Sequence, residues 1–406
     1  MTLKQYLPAA VLVLLLLFSA GCGPAVLTGD DLEAMWQEEA AQSAQDEAAE
    51  EEEKEAAAPA ADVPSLRERG LTEKRLYLNG RETTGLALGS TLWCDCRELA
   101  ESCPGFTYQE NGEQLLLTDG DGHQARISCR RLAAGDSPDA GDTALLLPRR
   151  DGPECWVSLA ELTRVLFFRS LWDEENDAWY LSPAVDASLI PAGRAVPVLM
   201  YHAVSDDTWG LEGLFLSPAE MADQLRFLTE NGYDPIFFSD LTHLEDYDLP
   251  VLLTFDDGYQ DNYSELLPLL RQYQAKATVF VITGNVDYNP NFLTGAQVRE
   301  LADSGLVEIQ SHTVNHRELA SLTEEQQRAE LWGSQLALAR LTGRLPYVIS
   351  YPAGKYNDAT LALAPACYDF GVKSRGGLWL TGDCFAIDRF PIYRGADSST
   401  LRALLE

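Results

Sequence analysis

The sequence predicts an α/β protein, with a parallel sheet or barrel in its C-terminal half and a small α+β domain before it. Three observations carry this. From about residue 195 onward, apolar strand-like runs alternate with amphipathic stretches that open on helix-capping residues. From about 71 to 185 the apolar runs are short, β-rich and duplicated. Before that, the segment Gly29 to Val63 is rich in Ala and Glu and carries almost no apolar stripe with which to build a core.

The N-terminus opens with Lys4 and an unbroken apolar run, Val11 to Phe18, ending in Ser19-Ala20-Gly21-Cys22. A cationic start, a short apolar stretch and small residues describe a secretory signal, and the run is short for a bilayer span. The segment resembles a bacterial lipobox, although Ser19 stands where Leu is usual. The resemblance implies cleavage before Cys22, lipidation of its thiol, and attachment to the extracellular face of a membrane. Residues 1–22 are therefore assigned as a signal and 23–70 as an acidic tether. The net charge of −33 gathers partly in Glu50-Glu51-Glu52-Glu53, where like charges repel and ordering finds little compensation. Such acidity excludes nucleic acid as the expected partner, because a phosphate backbone would be repelled.

Seven cysteines follow Cys22: Cys94, Cys96, Cys103, Cys129, Cys155, Cys367 and Cys384. An odd number cannot pair entirely within the chain, and Cys94 and Cys96 lie too close for a zinc knuckle. In residues 71–185, Trp93-Cys94-Asp95-Cys96-Arg97-Glu98-Leu99 is echoed by Trp156-Val157-Ser158-Leu159-Ala160-Glu161-Leu162. Each copy leads into a helical pattern, an aromatic and an apolar strand. The duplication resembles the stalk module at the N-terminus of copper amine oxidases, which implies a spacer or wall contact with no active site.

In the segment 195–406, strands are expected at Val196–Tyr201, Val251–Phe255, Ala277–Ile282, Val307–Gln310 and Tyr347–Tyr351. Helices start at the capping boxes Ser217-Pro218-Ala219-Glu220, Thr294 to Gln297 and Thr323 to Gln326. In such folds chemistry gathers where strands end. Three of the chain's five histidines, His202, His312 and His316, fall at these ends, together with Asp256 and Asp257. Two imidazoles four residues apart share a face if their segment is helical. With one carboxylate they make a three-ligand site that leaves a position open, as catalysis requires. Adjacent carboxylates repel, and a cation between them relieves that cost. Asp257 is therefore given to the metal, Zn²⁺ or another divalent transition metal, and Asp256 to proton abstraction from water.

Thr254-Phe255-Asp256-Asp257-Gly258 with Ser311-His312-Thr313 and His316 resembles the first two motifs of the polysaccharide deacetylase family, the NodB-homology carbohydrate esterases. The resemblance runs from about Val196 to Arg394. It implies a distorted (β/α) barrel, a metal on Asp257, His312 and His316, and removal of N-acetyl groups from an N-acetylglucosamine-type polymer. Its expected partner is a cell-wall or exported polysaccharide. The third motif departs from the family: Ser350-Tyr351-Pro352-Ala353-Gly354 lacks the usual Arg, and no His follows His316. Pro197-Val198-Leu199-Met200-Tyr201-His202 resembles the first strand of the poly-N-acetylglucosamine deacetylase branch, which makes His202 the acid for the leaving amine. Arg389 or Arg375 is the candidate to replace the missing Arg beside Asp256. Ala353 is expected to offer a backbone N–H to the oxyanion, and Tyr351 and Trp379 to present rings to the sugar. An O-acetyl esterase on the same site and a non-catalytic glycan-binding lipoprotein are the alternatives.

Overall fold

The computed structural model describes residues 64–148 and 153–406. Cys22, the signal and residues 23–63 of the tether lie outside them.

Among the described residues, the last part of the segment assigned to the tether, up to residue 70, is folded. Leu66 opens a 3-10 turn, Leu66–Arg69, and is fully buried beside Trp93 and Trp156. A leucine buried in one cluster with Trp93 and Trp156 anchors the chain before its first strand, a contact that a composition argument does not register.

Residues 72–183 contribute an eight-stranded sheet of largely antiparallel strands, in which Thr72–Leu78 also pairs parallel with Ala178–Pro183, and a separate three-stranded antiparallel sheet. The echoed segments become two strand–helix units: Thr91–Asp95 with Cys96–Ser102, and Glu154–Ser158 with Leu159–Val165. Each helix is capped by the residue before it, since Asp95 accepts from the Arg97 N–H and Ser158 from the Glu161 N–H. The two strands pair antiparallel, Trp93 facing Ser158, so the duplicated halves meet at the centre of the sheet. The seven cysteines from Cys94 to Cys384 are free thiols.

The second part is built on eight parallel strands: β1 Val198–Tyr201, β2 Asp234–Ile236, β3 Pro250–Phe255, β4 Ala277–Val281, β5 Val307–Ser311, β6 Val348–Ser350, β7 Phe370–Val372 and β8 Phe390–Pro391. They form a curled sheet in the order β7-β6-β5-β4-β3-β1-β8, with β2 beside β3. A single bridge, Val372 to Ile387, ties β7 to the segment entering β8. The result is the distorted, incompletely hydrogen-bonded barrel. Pro197 divides the first expected strand, so Ala195–Val196 pairs instead with Trp379–Leu380. Strands β3 and β4 are buried along their whole length, as expected where helices cover a parallel sheet. The three capping boxes all form.

The two parts are joined by specific contacts. Arg340 donates to Asp173 at 2.6 and 2.7 Å and to Glu175 at 2.9 Å, and the Val185 N–H donates to Asp369 at 3.1 Å. Gly80 and Gly343 touch backbone to backbone. A Cβ on Gly343 would lie 2.9 Å from the Gly80 Cα, and both residues have positive φ. A cavity of about 480 Å³ remains between the parts. It includes Val307 and Glu308 at the start of β5, opposite the end that carries His312.

Candidate active site

Asp256 and Asp257 follow β3, His312 and His316 follow β5, and His202 follows β1. Parallel neighbours that end in step bring these residues to one rim. Asp257 Oδ1 lies 3.4 Å from His312 Nε2 and 3.6 Å from His316 Nε2. One ligand atom from each residue falls within 4.8 Å of the others. His312 Nδ1 donates to the Ser350 carbonyl at 2.8 Å; a carbonyl can only accept, so Nε2 keeps its lone pair for a ligand role. Asp257 Oδ1 is buried and has no hydrogen-bond partner. A buried carboxylate oxygen left bare between two imidazole lone pairs is costly without a cation. The residues present therefore fit a divalent transition metal.

The two histidines reach this arrangement through a loop, so the helical condition attached to their spacing does not apply. Thr313 and His316 have φ of 65° and 54°, so the segment is a tight loop with left-handed turns, and Asp257 at 77° is similarly placed. Such backbone costs energy and persists where its surroundings fix it. The surroundings are visible. The Val314 and Asn315 N–H groups both donate to Glu330 Oε2 at 2.9 Å, and Asn315 Nδ2 donates to Oε1. His316 N–H donates to Thr313 Oγ1 at 3.1 Å. Gly258 has φ of 73° and a Cβ there would sit 3.2 Å from the Val281 Cα, so a side chain at this position would be strained and crowded.

Asp256 is gripped by a fully buried Arg389, whose Nη1 and Nη2 donate to its two oxygens at 2.8 and 2.7 Å. The same guanidinium donates to Thr254 Oγ1 and Ser350 Oγ, each at 3.0 Å. Burial alone would raise the Asp256 pKa, but the charges of Arg389 and His312 outweigh it and hold the carboxyl well below the usual range. Of the two candidate arginines, Arg389 makes this contact, whereas Arg375 is exposed. Ser350, in the departed third motif, completes the network by donating to Asp256 at 3.2 Å. His202 is pushed down by burial, against the opposing pull of Asp256 and Asp257.

The substrate-contact assignments fare differently. Tyr351 is fully buried and its hydroxyl donates to the Phe385 carbonyl at 3.1 Å. Trp379 is buried among Val196, Ile236 and Ile387. Neither ring can stack on a polymer, which corrects that expectation; both aromatics serve packing. Ala353 is exposed on a left-handed turn with φ of 53°. The sequence reading passed over Trp209, which is 43% exposed and stands edge-on to Tyr259 at 4.8 Å, two residues from Asp257. It also missed Glu330, because a carboxylate on an amphipathic helix reads as a solvated face.

Residues 246–367 match the Polysaccharide deacetylase family. Over 218 residues the chain is 33% identical to the putative polysaccharide deacetylase YxkH of Bacillus subtilis, covering 52% of this chain and 76% of that protein. It is 32% identical over 136 residues to a poly-beta-1,6-N-acetyl-D-glucosamine N-deacetylase of Escherichia coli, covering 29% of this chain and 20% of that protein. Among solved structures, the deacetylase PplD of Streptococcus pyogenes in complex with acetate aligns with a TM-score of 0.50 at 28% identity, over 53% of this chain and 99% of its own. The putative polysaccharide deacetylase BA0330 of Bacillus anthracis shares the fold over 74% of this chain, with a TM-score of 0.50 at 21% identity. Extent and identity together place the chain in the polysaccharide deacetylase family, among hydrolases that release acetyl groups.

Proposed function

We propose that the protein is a metal-dependent polysaccharide de-N-acetylase acting on an extracellular N-acetylglucosamine-type glycan, with Asp257, His312 and His316 as the metal ligands. The observation that carries this reading is the unpartnered, buried Oδ1 of Asp257 facing two imidazole nitrogens. The bound ion would supply Lewis acidity to the acetamide carbonyl and lower the pKa of water towards ~7.

The chain's own residues do the rest. Asp256, kept ionised and fixed in orientation by Arg389, accepts the proton of the attacking water. The exposed Ala353 turn offers its N–H to the developing oxyanion. His202 donates a proton to the nitrogen as the C–N bond breaks, giving acetate and a free amine. Its lowered pKa makes the imidazolium the stronger donor. Trp209, exposed beside Tyr259, offers the ring face that Tyr351 and Trp379 cannot. Its support is position and exposure.

The lipobox-like Cys22 and the acidic segment fit a membrane-tethered enzyme outside the cell, with residues 71–185 as a stalk-like spacer. The test is acetate release from N-acetylglucosamine oligomers by the zinc-loaded chain, with and without chelator. Asp256→Asn should abolish release while metal content stays normal. Undiminished release in that variant would refute the role, and release from acetylated xylan in place of the amide substrate would redirect the substrate class.

A further inference from the structure

The proposed acid, His202, is held in an unusual way. Its Nδ1 is buried and has no hydrogen-bond partner, so no side chain orients the ring through that atom. Its backbone, by contrast, is gripped immediately after the ring, at the 202 carbonyl and the 204 N–H. Asn262 Nδ2 donates to the His202 carbonyl at 3.0 Å, and the Val204 N–H donates to Asp261 Oδ1 at 2.9 Å. Asn262 Nδ2 also donates to that same Asp261 oxygen at 3.1 Å, which couples the two grips. Both side chains are buried, Asn262 completely. They sit where the chain enters a π-helical turn, Asn262–Leu266, an irregularity that re-aims side chains and recurs at functional sites. Keeping a carboxylate here is expensive: burial pushes Asp261 up to about 6. A packing role alone would be met more cheaply by an apolar residue.

We propose that Asp261 and Asn262 are positioning residues that aim the His202 imidazole at the departing amine by clamping the backbone that follows it, from the 202 carbonyl to the 204 N–H. The inference rests on His202 being the general acid. In the step it serves, the C–N electron pair leaves with the nitrogen, which takes the proton from His202. Displacing the 202 carbonyl rotates the ring away from that nitrogen and slows amide cleavage. An aryl ester, whose phenolate departs without protonation, needs no such donor.

The experiment compares acetate release from an N-acetylglucosamine oligomer with hydrolysis of 4-nitrophenyl acetate, using the zinc-loaded full chain. His202→Ala should lower the ratio of amide to ester rate by about 100-fold, within the range for losing a general acid. Asn262→Ala should lower kcat on the oligomer by about tenfold with KM within about twofold, and shift the same ratio. In the His202→Ala background it should add less than about twofold, since the group it aims is gone. Asp261→Asn, which still accepts from the Val204 N–H, should restore most of what Asp261→Ala loses. Asn262→Leu keeps the volume and should reproduce the selective loss if Asn262→Ala proves unstable. A ratio unchanged by His202→Ala would overturn the acid assignment itself. A ratio sensitive to His202→Ala but not to either Asn262 variant, or losses that multiply in the double variant, would overturn the clamp alone.

Discussion

Replacing Arg389 by Met tests how the site keeps Asp256, the proposed base, charged. Arg389 is fully buried and makes four side-chain hydrogen bonds, two of them to Asp256. Met fills much of the volume but supplies no donor, so the carboxylate is left buried and unpaired. Removing one partner of a buried ion pair costs about 3–5 kcal/mol. In a domain of this size that corresponds to a fall in Tm of about 6–20 °C. The pH dependence identifies the cause. In the native protein the Asp256 pKa is depressed, so its stabilising contribution is fully present above its unfolded value near 3.8 and is lost only in more acid solution. In Arg389→Met burial is no longer opposed by the guanidinium, and the folded pKa rises above the unfolded one. The gap between native and variant should therefore widen as pH rises from about 4.5 to 8, measured by urea unfolding at several pH values. The rate of acetate release should fall by about 100-fold. Arg389→Lys, which keeps the charge but not the fork, should fall between. A destabilisation that is the same at pH 4.5 and pH 8 would refute the reasoning, because a mere packing defect does not titrate.

Other outcomes follow from the same geometry. Glu308 is pushed up to about 7 by burial, and one of its oxygens has no partner. Between the ordinary glutamate value of 4.5 and about 7 the unfolded chain is ionised while the folded chain is not. Native stability should thus decline by up to about 3 kcal/mol across that window, and Glu308→Gln should flatten the decline in thermal unfolding measured from pH 4 to 8. Glu330→Gln loses charge where two backbone N–H groups converge; it should weaken zinc binding about tenfold or more, read by competition with a chromophoric chelator. Trp209→Ala should raise KM for long oligomers several-fold and leave the single-sugar rate unchanged, a split that steady-state kinetics on a length series will display. Asp173→Asn weakens the link to Arg340 and should lower Tm by a few degrees without altering acetate release.

Five of the eight barrel strands are legible in the sequence because they are apolar runs of strand length, as in the fully buried β3 and β4, whereas β2, β7 and β8 are two- or three-residue strands too short to show a pattern. The rim residues are legible for a related reason: His, Asp and Asp-Gly at strand ends sit where apolar pattern gives way to chemistry. What cannot be read this way is direction and depth. Tyr351 follows a strand, as a substrate contact might, yet its ring turns inward and is lost to solvent. The spacing of His312 and His316 suits one turn of helix, but the loop brings the rings 4.7 Å apart through two left-handed residues. Arg389 and Arg375 are equivalent in a sequence and opposite in space, one buried on Asp256 and the other exposed.

Depth also explains why the supporting residues escape a reading of the sequence. Glu330, Asn262 and Ser350 carry ordinary polar side chains in ordinary polar surroundings, and only tertiary packing makes them buried partners. Each spends its hydrogen bonds on the backbone or side chain of a reacting residue: Glu330 on the loop before His316, Asn262 on the His202 carbonyl, Ser350 on Asp256. A ligand residue advertises itself by chemical type, whereas a residue that aims it need only offer one donor or acceptor in the right place. The missing third-motif Arg follows the same logic. A guanidinium from the segment before β8 reaches Asp256 beside Ser350, so the fork around the carboxylate can be delivered by a strand other than the one that carries the third motif.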